Sequence, residues 1–167
     1  MMEDLSKGLP VGHNVAIREV GGSEIKYYKI VNRDTIFLVD SHDELATGVT
    51  EDYTDFTELD PPDDQLYQIH KIELAEGNVD VYVKQPAATN RWGTNRSPTG
   101  GYLDDEHDTA LVNIWITQDY PPSVKIVNNT NVSVTAKLRW WGWKYLLEKL
   151  LKAPEKFTPV NVGGIAR

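Results

Sequence analysis

Short runs in which every second residue is apolar recur along the chain. They are NVAIREV (14–20), IKYYKIV (25–31), TIFLV (35–39), LYQIHKIELA (66–75), VDVYVK (79–84), ALVNIWITQ (110–118), SVKIV (123–127) and VSVTAKLRW (132–140). A period of two puts alternate side chains on opposite faces of a strand, so each run predicts a strand with one buried face. The connections are turn-rich. GGSE after the first run and NRD after the second predict a three-stranded meander, EGN at 76–78 a second hairpin, and NNTN at 128–131 a third. In the last run Val132, Val134, Ala136, Leu138 and Trp140 share one face, with Trp141 on the other.

Beyond Gly142 the period changes. Trp143, Leu146, Leu147, Leu150 and Leu151 fall on one helical stripe opposite Lys144, Glu148, Lys149 and Lys152, and Pro154 stops it. The spacing predicts an amphipathic helix over 143–153 that lids the sheet. The expected fold is therefore mainly β: an antiparallel β-sandwich, jelly-roll-like, or a barrel, of about eight strands with one C-terminal helix. One domain over 14–153 would carry an N-terminal arm (1–13) and a C-terminal arm (154–167). In the latter, Phe157, Val160, Val162 and Ile165 are apolar enough to lie along a neighbouring subunit.

Composition narrows the picture. With 167 residues, one ordinary domain with its own core is expected. The chain has no cysteine, which excludes disulfides, thiolate metal sites and a cysteine nucleophile together. No apolar run has signal-peptide or membrane-spanning length, so no transmembrane segment is expected and a soluble protein of a virion or the cytoplasm fits. The net charge of −8 is uneven: residues 40–64 hold ten acids and no Lys or Arg, while residues 121–167 hold eight bases and two acids. Such opposed segments attract one another within a fold or between copies, and the acidic one opposes nucleic-acid binding.

Candidate chemistry is sparse. DSHDE (40–44) and DDEHD (104–108) set His42 beside Asp43 and Glu44, and His107 beside Asp104 and Asp105. These residue types suit a divalent cation such as calcium, or acid–base work, although neither cluster has the spacing of an established metal motif. In the acidic stretch 51–64, Tyr53, Phe56 and Leu59 are spaced to seat the loop on the body. The longest stretch without strand or helix signal, 85–105, presents Arg91, Trp92, Arg96 and Tyr102, which with Trp141 form a candidate contact surface, including one on which a carbohydrate could stack. Sequons at Asn95, Asn128 and Asn131 fall in turns. No phosphate loop, nucleophile elbow or dinucleotide fingerprint is present, and no resident cofactor is expected. Three functional classes follow: a non-enzymatic structural protein that forms a homo-oligomer or docks on a larger particle, such as a capsid, decoration or tail-associated component of a virion; a carbohydrate-binding or other ligand-binding module; and a small metal-dependent enzyme.

Overall fold

The computed structural model describes residues 5–19, 24–45, 50–53, 59–84, 102–104, 106–118, 120, 122–128 and 130–162. The chain is mainly β. A 3-10 turn at Leu5–Lys7 precedes strands β1 (Asn14–Glu19), β2 (Lys26–Leu45), β3 (Thr50–Tyr53), β4 (Gln65–Glu76), β5 (Asp80–Lys84), β6 (Tyr102–Leu103), β7 (Thr109–Ile116), β8 (Ser123–Val127), β9 (Val134–Lys149) and β10 (Thr158–Val162). They form a long sheet in the order β10-β1-β2-β9-β4-β7 and a short sheet in the order β3-β8-β5-β6. All pairings are antiparallel except β1 with β10.

The strand periodicity is observed, and β1 pairs antiparallel with the start of β2 as expected, but the third strand of the meander and the other two hairpins are not formed. Asn32-Arg33-Asp34, expected as a turn, continues β2, paired with Leu146, Tyr145 and Lys144 of β9. β4 and β5 lie in different sheets, as do β8 and β9. Alternation records which face a residue occupies and not which strand lies beside it, so a turn between two strands does not make them neighbours.

The helix expected over 143–153 is not formed. β9 runs through to Lys149, flanked by β2 to that residue and by β4 as far as Leu146. Trp143, Tyr145 and Leu147 alternate as well as the leucines repeat at helical spacing, and pairing on both sides decides between the two periods. Leu151, assigned to the helical stripe, is 98% exposed.

Gly142 nevertheless marks a change. Before it, Ala136, Leu138 and Trp140 face a core shared with β4, β5, β7 and β8, between the two sheets. After it, Tyr145 and Leu147 face a second core with Val15, Ile17, Ile30, Leu66, Trp115, Val160 and Val162. The register of β9 against β2 is unbroken from Asn32 to His42, so even and odd positions of β9 keep opposite faces and the two cores lie on opposite sides of one long sheet. At one end the sheet stacks on the short sheet; at the other it curls so that β10 returns against β7, making a nearly closed barrel around the second core. A bulge at His70 of β4, opposite the Gly142–Trp141 step, sits where the curvature changes.

Among the described residues, parts of both terminal segments pack on the barrel. Val160 and Val162 are interior residues of the barrel, and Phe157 packs edge-on to Tyr27 at 5.5 Å. Ser6 accepts a bond from Trp143 Nε1 (2.9 Å), Leu9 N–H donates to Tyr145 Oη (2.8 Å), and Arg33 donates to the carbonyls of Lys7 and Leu9. The apolar alternation of β10 matches the barrel interior, which is why the segment finds its burial within its own chain. Ile165 lies outside the described residues.

Candidate functional site

The face of the long sheet that lines the barrel becomes an open surface further along the same strands. From the barrel outward on β9, Leu147 and Tyr145 are interior, Trp143 lies beneath Gly8, and Trp141 is half-buried. Gly8 has φ +64, and a Cβ there would stand 2.7 Å from Trp143 Cδ1, so the N-terminal segment lies flat on that indole.

Trp141 then anchors a row across four strands. It pairs with Phe37 of β2 on one side and Lys71 of β4 on the other, and Lys71 pairs with Leu111 of β7. With strands about 4.8 Å apart, the row is about 15 Å wide. Phe37 is 58% and Leu111 66% exposed, and Val39, one step along the same face, is 49% exposed. Phe37 packs on Trp141 with ring centroids 5.3 Å apart, and Lys71 Nζ stands 4.5 Å from the centroid of the indole. The next row carries the Arg139–Glu73 ion pair (2.8 Å) and then Lys137–Glu76 (3.3 Å). This is an apolar strip bordered by paired charges, the composition of a contact surface.

At the barrel mouth, β1, β2, β7 and the segment before β4 surround a cavity of about 390 Å³. Its lining includes Glu19, Glu24, Asp63, Lys26, Tyr28 and Tyr120, with the buried Ile17 and Leu147. Burial, above all, raises the Tyr28 hydroxyl above its ordinary value; Lys26 opposes the rise, while Asp63, Glu19 and Glu24 add to it. Three carboxylates against one ammonium favour a cationic guest. These groups come from separated segments, and nothing in the sequence marks them as neighbours.

The remaining sequence candidates are dispersed. His42 is buried and bonds Asp40 Oδ2 at 2.7 Å, near the end of β2 that also carries Asp43 and Glu44. His107 and Asp104 meet at 3.2 Å in the turn between β6 and β7. Asp104 Oδ1 also accepts the backbone amides of His107 and Glu106, and the His107 amide, above all, holds this carboxyl below its ordinary value. Among the described residues no three His, Asp or Glu side chains converge as a metal site. Tyr102 opposes Tyr82 in the short sheet; Arg91, Trp92, Arg96 and Asp105 lie outside the described residues. Leu59 of the acidic stretch is buried in the inter-sheet core, whereas Phe56 lies outside the described residues. Asn128 is fully buried, its Nδ2 donating to Val132 O, so this sequon is closed to a glycan in the folded chain. No helix among the described residues is long and apolar enough to cross a membrane.

No protein-family model matches the chain, and no curated protein matches it. Among solved structures it is similar to one described as "Bacillus endospore appendages form a novel family of disulfide-linked pili", at 15% identity, covering 72% of this chain and 91% of that chain, with a TM-score of 0.36. The linkage in that description has no counterpart here, where there is no cysteine.

Proposed function

We propose that this protein is a non-enzymatic structural component that assembles with copies of itself or docks on a larger particle, of which a virion is one example. The supporting observation is the row Phe37–Trp141–Lys71–Leu111, three apolar side chains and one lysine held in register on a four-stranded surface. Burial of such a strip gains roughly 25 cal/mol for each Å² of apolar area removed from water, and the flanking ion pairs would form the polar rim. Light scattering and sedimentation across a wide concentration range test it. A species heavier than the 18.9 kDa chain is expected, and Leu111→Glu should weaken its association. A strictly monomeric protein that captures no particle would overturn the reading.

A ligand-binding role is the second reading, and the cavity at the barrel mouth favours it. Titration with primary amines, with Asp63→Asn as the control, tests it. A carbohydrate on Trp141 has less support, because Lys71 already lies over the ring and a stacked sugar would have to displace it.

A further inference from the structure

β2 is twenty residues long, yet only its first part is paired on both sides. β1 covers Lys26–Lys29, and the Gly12 amide and His13 carbonyl bond Ile30. From Val31 onward, no strand among the described residues lies beside β2 on the side away from β9. The amides of Arg33 and Thr35 point to that open side: each is bonded by the side chain preceding it, Asn32 Oδ1 at 2.9 Å and Asp34 Oδ1 at 2.8 Å. In an antiparallel ladder every second residue turns its N–H and C=O the same way, so Phe37 and Val39 present theirs outward too. Here the side-chain capping stops, since Ile36-Phe37-Leu38-Val39 contains no polar side chain. It also contains no lysine, proline or bulge, the devices by which edge strands are blunted.

We infer that this edge pairs antiparallel with the β2 edge of a second copy, joining two long sheets into one. Charge selects the occupant. The open part of β2 carries Arg33 and Asp34 at its start and Asp40 near its end. Antiparallel self-pairing sets opposite ends side by side, whereas parallel pairing sets like beside like. Charge also selects the register. A two-fold axis at Leu38 puts Asp34 across from His42 of the second copy, whereas moving the axis to residue 37 puts Asp34 across from Asp40. With the axis at Leu38, Phe37 lies beside Val39 of the second copy, and the apolar row continues across both chains. The inference rests on the assembly reading and names its partner.

Two changes test it on the full chain. Val39→Pro removes an outward N–H without touching the ladder to β9, and Val39→Lys blunts the same edge should the proline fail to fold. Either is expected to halve the mass of a wild-type dimer, leaving the chain's 18.9 kDa. The chain has no cysteine, so Leu38→Cys can form a disulfide only between copies. It sits across from itself in a non-hydrogen-bonded pair and should oxidise to a covalent dimer faster than Leu151→Cys, an exposed position away from both the row and the edge. If association persists in the Val39 variants and Leu38→Cys cross-links no faster than Leu151→Cys, the edge is not the interface and the inference falls, while the assembly reading stands. A wild-type chain that is monomeric throughout and docks on nothing removes both.

Discussion

Tyr145 donates its buried hydroxyl proton to Gln68 Oε1 at 2.7 Å while accepting the Leu9 amide at 2.8 Å. One side chain thus ties β9 to β4 and holds the N-terminal segment against the barrel. Tyr145→Phe would leave a carbonyl oxygen and an amide short of partners in a buried place, a loss of about 1–3 kcal/mol. Urea unfolding should show it, and proteolysis should reach the first residues of the variant sooner.

The same hydroxyl makes stability depend on alkaline pH. Burial, above all, raises Tyr145 above 10.0; the Leu9 hydrogen bond and Arg33 lower it by less. The folded chain therefore holds the neutral phenol more firmly than the unfolded chain does. Its contribution is complete below pH 10 and is lost as pH rises from there through the folded value. The urea midpoint should fall as pH rises above 10.0, and fall less in Tyr145→Phe. Equal slopes in the two proteins would contradict this.

Gly142 occupies a position where a Cβ would collide with the Gln68 carbonyl oxygen of β4. That atom is backbone in the middle of a sheet and cannot swing away. Gly142→Ala should cost about 1–3 kcal/mol, the range of overpacking in a tight interior, and lower the thermal midpoint. Wild-type stability in this variant would mean that the strands separate here with ease.

Neighbouring residues of β9 should differ widely in cost. Trp140 has no exposed surface, and Trp140→Ala should lose about 3–5 kcal/mol. The Arg139–Glu73 pair is close at 2.8 Å, but its side chains are 46% and 23% exposed. Arg139→Ala should therefore cost under about 1 kcal/mol, less still in high salt. Parallel denaturation curves of the two variants measure the contrast.

Much of the fold can be read from alternation alone. Trp140 is read as inward and is fully buried, and Leu59 is spaced to seat the acidic loop and is in the core. Asn32-Arg33-Asp34 misleads because asparagine and aspartate favour turns; in β2 two of them use the same chemistry to cap their neighbours' amides at an open edge. Trp143 to Leu151 misleads because one set of residues satisfies two periods. The contact row was legible only at Trp141, since Phe37, Lys71 and Leu111 belong to three other strands.

What the sequence determined by itself is where eight strand-forming runs lie and which face of each turns inward, because the two-residue period is a local property of the backbone; β3, β6, β10 and the continuation of β9 to Lys149 were not read from it. Which strands pair, that β2 and β9 serve a sandwich at one end and a barrel at the other, and that Phe37, Trp141 and Leu111 share an open face were decided only by the tertiary structure. Register joins residues far apart in the chain, and the free energy that selects it exists only when both strands are in place.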